Sequence, residues 1–218
     1  MVSTTIVDAF ASAIAHLAAS DLDWDRLIAR VGPCGLQPKP EREPYEALIR
    51  AIAYQQLHGR AAEAILGRFL ALYPDVSFPS PTNILATDAS VLRACGFSAA
   101  KVATICGIAE KTLDGLVPLR SEAMTLTDEE LIARLVSLRG VGRWTVEMLL
   151  IHTLERPDVL PVDDFGVREG WRVTKSLPKQ PTPGEMAKIG QAWSPFRSTA
   201  TWYLWRAAEQ AKRAAASG

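Results

Sequence analysis

Residues 127–164 read TDEELIARLVSLRGVGRWTVEMLLIHTLERPDVLPVDD, and this stretch determines how the rest of the chain is interpreted. Thr127 and Glu130 have the spacing of a capping box, which marks the start of a helix. Apolar residues then repeat at helical spacing, so a helix is predicted to end near Ser137. Two glycines at Gly140–Gly142 interrupt the pattern, and a second helix is predicted directly after them. The apolar positions of the two helices are Leu131, Leu135 and Leu138, then Val146, Leu149, Leu150 and Leu154. Residues 127–154 are therefore predicted to form two helices joined by a short glycine-rich hairpin.

The hairpin has the properties of an anion site. Gly140 and Gly142 lack side chains, so a partner could approach the main chain closely. The amides of Gly142, Arg143 and Trp144 would open the second helix, where unpaired N–H groups and the helix dipole favour a negative charge such as a DNA phosphate. Arg139 and Arg143 flank the turn. On these residues alone, an ordinary helix–helix turn with a glycine cap remains the alternative.

The composition limits the possible fold class, domain number and cellular compartment. The chain has 218 residues and 48% hydrophobic content, enough for one domain or two small ones. No alternating strand pattern and no apolar run of membrane-spanning length is found, so an all-α protein without a membrane segment is predicted. The start, MVSTTIVDAF, has no basic region typical of a signal peptide, which favours an intracellular protein. Cys34, Cys95 and Cys106 lack metal-binding spacing and suggest a reducing compartment.

The charge balance argues weakly against a nucleic-acid partner. The chain carries 24 basic and 24 acidic residues, whereas phosphate binding requires an excess of Lys and Arg at the contact surface. A local basic patch would be sufficient, and the C-terminal half supplies candidates for it.

The motif LRGVGRWTVEMLL, the later LPVDDFGVR and the distal WSPFRSTATWYLW together resemble the helix-hairpin-helix DNA base-excision glycosylases. More narrowly, they are similar to the DNA-3-methyladenine glycosylase II (AlkA-type) branch, including the step of twenty residues from Trp144 to Asp164. The resemblance extends from about Tyr45 to Ala207.

The resemblance implies a fold of two helical subdomains with the active cleft between them. Residues 1–45 and 160–218 would form the terminal subdomain, and residues 46–159 the central bundle that contains the hairpin. Many AlkA-type enzymes have an extra N-terminal β-domain, for which this chain is too short. The scattered cysteines also do not match the four-cysteine iron–sulfur loop of some relatives.

The same resemblance assigns catalysis to Asp164, with Asp163 as the neighbouring residue at the helix start. A carboxylate stabilises positive charge at the sugar C1′ and orients or deprotonates water. A purine alkylated at N3 or N7 already carries positive charge and leaves without a general acid, so one aspartate is sufficient. Trp144 occupies the position where some family members have a nucleophilic lysine. A monofunctional glycosylase without AP-lyase activity is therefore expected.

Base-pocket and DNA-contact residues are assigned by the same comparison. Aromatic faces suit a cationic base, whereas Met148 stands where AlkA-type enzymes can have an aromatic residue, and Trp202 is assigned to the core. The predicted base pocket comprises Trp144, Trp205, Met148 and Tyr54. The segment from Tyr54 to His58 resembles the loop that enters the duplex when a base is flipped. The predicted DNA contacts are Gly140, Gly142, Arg143, Trp144, Gln55, Gln56, Leu57 and Arg139.

In related proteins the hairpin carbonyls bind a monovalent cation, which would place a structural Na⁺ or K⁺ on Leu138 and Val141 here. No other cofactor is expected. The predicted function is excision of cationic purines such as 3-methyladenine and 7-methylguanine from double-stranded DNA, by a monomer. It would act inside the cell, and in the cytoplasm in association with the nucleoid if the source is bacterial.

Two other functions remain open. The main alternative is a helix-hairpin-helix module that binds damaged DNA without cleaving it. An oxidised-purine or mismatch glycosylase is less favoured, because the lysine and the cysteine cluster are missing.

Overall fold

The computed structural model describes residues 10–57 and 59–217, and this part of the chain contains helices and no β-strand. The all-α prediction is therefore confirmed. The helices are α1 Ala11–Ser20, α2 Leu22–Val31, α3 Pro44–Tyr54, α4 Gly59–Leu70, α5 Pro81–Ala86, α6 Ala89–Ala94, α7 Ala99–Leu113, α8 Arg120–Ala123, α9 Asp128–Leu135, α10 Arg143–His152, α11 Phe165–Thr174, α12 Pro183–Ile189, a 3-10 turn Gly190–Trp193, and α13 Arg197–Ser217. None of the helices described combines the length and apolar character needed to cross a membrane.

Helix starts follow the local capping signals in the sequence. The capping box predicted at Thr127 is present: Thr127 Oγ1 accepts from Glu130 N at 3.2 Å, and Thr127 N donates to the Glu130 carboxylate at 2.8 Å. A second box, Thr182 with Glu185, opens α12 in the same way. Each box satisfies amide groups that the first turn of a helix leaves without a partner.

The chain divides into two compact units. One unit consists of the segments up to Gln37 and from Arg156 onward, and the other runs from Pro38 to Glu155. The structure draws these boundaries after residues 37 and 155, whereas the resemblance implied boundaries after 45 and 159. The earlier boundary at residue 37 has a local cause. Lys39 N donates to His152 O at 2.6 Å, which attaches the segment after Gln37 to the second unit.

The terminal unit is built around an aromatic cluster and a close helix crossing. The rings of Trp24, Trp171 and Trp193 lie 5.1–6.0 Å apart, with Trp24 fully buried. Helices α11 and α13 cross so closely that a Cβ on Gly170 would overlap the main chain of Leu204. This crossing fixes α11, whose first turn follows Asp164.

The central unit packs around α3. Leu48, Ile49 and Ile52 on this helix are completely buried. Phe69 of α4 contributes edge-to-face contacts with other aromatic rings, including Phe97 at 5.7 Å. This packing holds the end of α3, and the loop that follows it, against α7 and α10.

The substitution Gly170→Ala tests the α11–α13 crossing. We expect it to destabilise the protein by about 3 kcal/mol, because the added methyl group has no space and the main chain of Leu204 must move. Urea unfolding followed by circular dichroism measures the change. Gly67→Ala is the matched control: Gly67 also lies inside a helix, a Cβ there meets nothing within 4 Å, and we expect it to stabilise by roughly 0.5–1 kcal/mol. Equal effects of the two substitutions would contradict the packing assigned to Gly170.

Candidate nucleic-acid interface and active site

The hairpin is the tight turn that the sequence predicted. Helix α9 ends at Leu135, Val141 N donates to Leu138 O at 3.0 Å, and α10 begins at Arg143. Gly142 is the N-cap of α10, and no side chain caps this helix. Because the first amides of a helix have no acceptor within it, this turn presents N–H groups suited to an anion.

Gly140 is required at its position for two reasons. Its φ of +81° lies in the left-handed region that side chains disfavour. A Cβ would also overlap Oγ1 of Thr104, a buried residue of α7. The hairpin therefore rests directly on α7.

The two arginines beside the hairpin differ in their surroundings. Arg139 is exposed, whereas Arg143 is ion-paired with Glu129 at 2.5 Å and with Glu147 at 3.0 Å. Hydrogen bonding to Glu129 raises the pKa of the Arg143 guanidinium above its usual value, with Glu147 adding to the effect. Much of the Arg143 charge is thus balanced within the protein, which the sequence prediction of a DNA contact did not anticipate.

The two glutamines in the loop after α3 differ in their surroundings. Gln55 Nε2 donates to Gly140 O at 3.2 Å and to Thr145 Oγ1 at 3.0 Å, so its side chain is directed at the hairpin. Gln56 has a φ of +56° and is exposed, and Leu57 is 41% exposed. The assignment of Gln55 as a DNA contact stays a prediction. His58 lies outside the described residues.

Asp164 occupies the start of α11. Its Oδ1 accepts from Val167 N at 2.8 Å, which makes Asp164 the N-cap, and from Trp205 Nε1 at 3.0 Å. The expectation that Asp163 is the residue at the helix start is therefore wrong, because the Asp163 side chain is exposed and the cap is Asp164. The two donors fix the orientation of the Asp164 carboxylate.

Trp205 contacts Asp164 through its N–H edge. A Cβ on Gly166 would come within 3.0 Å of Trp205 Cδ1 and 3.1 Å of Asp164 Oδ1, which shows how closely the three residues approach. The sequence predicted only a ring face lining a pocket. Trp202, predicted to be core, is half-buried, with the Arg206 guanidinium 5.7 Å from its ring.

The other predicted pocket residues lie in the central unit. Trp144 and Met148 are both half-buried and four residues apart on α10, so they share one face of the helix. Tyr54, at the end of α3, is 36% exposed.

Comparison with known proteins supports the resemblance to base-excision DNA glycosylases that the sequence motifs indicated. Residues 49–195 match the model of the HhH-GPD superfamily base excision DNA repair proteins. The chain belongs to this family.

Two relatives and one solved structure illustrate the similarity. The DNA-3-methyladenine glycosylase 1 of Schizosaccharomyces pombe is 46% identical over 207 residues, which cover 94% of this chain and 91% of the relative. The alkylbase DNA glycosidase-like protein mag2 of the same yeast is 39% identical and covers 88% and 90%. The solved structure of the S. pombe 3-methyladenine DNA glycosylase (Mag1) in complex with abasic DNA has a TM-score of 0.84 and 47% identity, covering 89% of this chain and 95% of that one.

Several supporting residues of this HhH-GPD protein carry no sequence signal. Asp158 accepts from Arg197 Nε at 2.7 Å and from Ser194 Oγ at 2.8 Å, which ties the start of α13 to the segment leading to Asp164. Burial raises the pKa of the Asp158 carboxyl, but these hydrogen bonds outweigh burial and hold the pKa below its usual value. Lys101, Thr104 and Thr145 around the hairpin were also not predicted.

Metal binding would depend on main-chain oxygens. Among the described residues, no group of three or more His, Cys, Asp or Glu side chains could hold a metal ion. Leu138 O accepts the Val141 amide, and a carbonyl oxygen has a second lone pair with which to contact a cation.

A double-mutant cycle tests the Trp205–Asp164 contact. We expect Trp205→Phe and Asp164→Ala to be coupled by about 1.5 kcal/mol in unfolding free energy, because each removes one partner of a hydrogen bond to a charged group. Urea denaturation of the wild type, both single variants and the double variant provides the coupling energy. Strictly additive effects would mean that the contact contributes nothing.

Proposed function

We propose that this protein is a monofunctional DNA glycosylase that excises alkylated, cationic purines from double-stranded DNA. The observation that carries the proposal is the Asp164 carboxylate, held by Val167 N and Trp205 Nε1 at the start of α11. Family membership and the 46% identity to a DNA-3-methyladenine glycosylase support it.

The chemistry follows from charge. Cleavage of the N-glycosidic bond builds positive charge on the deoxyribose C1′, and a fixed carboxylate stabilises this charge without reorganising. Since Asp164 is held by two donors, its position is set before the substrate arrives. The same carboxylate can orient the water that attacks C1′. A base such as 3-methyladenine or 7-methylguanine leaves as a neutral purine, so no general acid is needed.

The hairpin would hold the DNA strand. The amides at the start of α10 offer hydrogen bonds to one phosphate, which position the strand without reading its sequence. Exposed Arg139 adds a charge next to the turn. Gln56 and Leu57, exposed in the loop after α3, are the residues we assign to the gap left by the flipped base.

The base pocket would use the half-buried side chains of Trp144 and Met148 on α10, together with Tyr54 at the end of α3. An aromatic face attracts a cationic purine by about 0.5–2 kcal/mol. We assign Trp205 a different part, since its N–H is directed at Asp164. A contact between its ring and the base is compatible with this hydrogen bond.

Strand cleavage is not part of the proposed reaction. A lyase needs an amine that attacks C1′, and the position directly after the hairpin arginine is occupied by Trp144. The expected product is therefore an abasic site in an intact strand.

We also propose that the protein acts as a monomer in the compartment that contains the DNA. A Na⁺ or K⁺ ion on the carbonyls of Leu138 and Val141 would support the phosphate contact. Such an ion would add positive charge next to the phosphate, and these two residues would supply oxygen ligands of the kind that alkali cations prefer.

The decisive experiment is base release by Asp164→Asn. Asparagine can still cap α11 but lacks the negative charge, so we expect the single-turnover rate on 7-methylguanine duplex to fall roughly 10²–10³-fold. Chromatography of the released base measures the rate, and gel analysis before and after alkali shows whether the strand stays intact.

Asp163→Asn is the matched control. Asp163 is the exposed neighbour of Asp164, and we expect its variant to act at the wild-type rate. Wild-type rates from Asp164→Asn would refute the mechanism. Tight binding of lesion DNA by the wild type with no base release would favour the alternative of a non-catalytic binding module.

A further inference from the structure

We propose that Gln55 is a positioning residue that joins the loop Tyr54–Leu57 to the hairpin, so that the two meet DNA as one preformed surface. We call the residues Tyr54–Leu57 the insertion loop and residues 138–142 the hairpin. The inference rests on the proposed function, because both segments are assigned to DNA there.

The Gln55 side chain spans the two segments. Its Nε2 donates to the main-chain oxygen of Gly140, inside the hairpin, and to Oγ1 of Thr145 in the first turn of α10. The two acceptors lie 85 and 90 residues further along the chain. A carboxamide supplies two N–H donors on one nitrogen, so one side chain can serve both acceptors.

Lys101 of α7 fixes the main chain from which Gln55 extends. Its Nζ donates to Ala53 O at 3.0 Å and to Gln55 O at 2.8 Å, at the C-terminal end of α3. The last carbonyl groups of a helix accept no hydrogen bond from within the helix. A positive charge is also favourable at the C-terminal end of the helix dipole. Lys101 is half-buried, and this burial lowers the pKa of its ammonium.

Thr104 of the same helix supports the hairpin. Thr104 and Lys101 are three residues apart and therefore lie on one face of α7. Thr104 packs against Gly140 so closely that no Cβ fits between them. One face of α7 thus supports both the insertion loop and the hairpin, and Gln55 links them directly.

The link matters because a duplex presents a phosphate and the gap left by the flipped base at a fixed separation. Binding groups held at that separation lose little conformational freedom when DNA arrives, whereas independent loops must each be ordered. The fixed position of Gln55 should restrict Gln56 most, because Gln56 is exposed and directly follows Gln55. Loss of the Gln55 amide should therefore affect hairpin mobility, DNA affinity and base flipping together.

The first test uses the free protein. In Gln55→Met, which keeps the length of the side chain and removes its donors, we expect amide hydrogen exchange of residues 138–145 to accelerate about threefold or more. Exchange in α5 and α6 should stay unchanged and shows that the unit is folded. Gln210→Met, at an exposed glutamine of α13, is the control and should leave exchange at the hairpin unaltered.

The second test uses duplex DNA with a neutral tetrahydrofuran abasic site and a neighbouring 2-aminopurine. We expect Gln55→Met to raise Kd about tenfold and to lower the 2-aminopurine fluorescence at saturating protein, a readout that is independent of affinity. Thr145→Val should have a smaller effect in the same direction. Adding it to Gln55→Met should cause no further loss, because its partner is already absent.

The outcomes separate the two proposals. Unchanged hairpin exchange in Gln55→Met, or unchanged Kd and fluorescence despite faster exchange, overturns the positioning role while the glycosylase proposal stands. Additive losses from Gln55→Met and Thr145→Val also overturn it. A wild-type protein that fails to bind the lesion duplex overturns the proposed function and this inference with it.

Discussion

The proposed reaction depends on one carboxylate oxygen that accepts two hydrogen bonds. Asp164 Oδ1 receives the Val167 amide and the Trp205 indole N–H. Capping alone would make Asp164 a structural residue, as such aspartates usually are. The second donor, from a helix that begins more than thirty residues later, goes beyond what a cap requires. In a reaction that builds positive charge, a carboxylate fixed in advance is worth more than a mobile one.

The packing of the terminal unit explains how this geometry persists. Gly170 allows α11 and α13 to approach until their main chains are in contact, which brings Trp205 to the start of α11. The Asp158–Arg197 pair anchors the other end of the connection, where α13 begins. In the central unit, α7 holds the two segments that we propose contact DNA, through Lys101 and Thr104. The Asp164 carboxylate in one unit and the hairpin in the other are therefore each held by helices that carry no proposed catalytic group.

The features that could be predicted from sequence are local. Capping boxes and the glycine hairpin are encoded within a few residues, because the groups involved are neighbours in the chain. The missed features join distant residues: Gln55 to the hairpin, Trp205 to Asp164, and Arg143 to Glu129. An indole or an amide is compatible with many partners, so its identity alone does not reveal which one it contacts. The resemblance placed Asp163 at the helix start, whereas the main-chain geometry makes Asp164 the cap of α11.

In the proposed reaction the Asp164 carboxylate faces positive charge at C1′. This placement is tested most directly by comparing two abasic analogues in the same duplex, a cationic pyrrolidine and a neutral tetrahydrofuran. Wild-type protein should bind the cationic analogue at least about 100-fold more tightly, because it resembles the transition state. Asp164→Asn should remove most of this preference while keeping affinity for the neutral analogue. Equal affinity of the wild type for both duplexes would contradict the account.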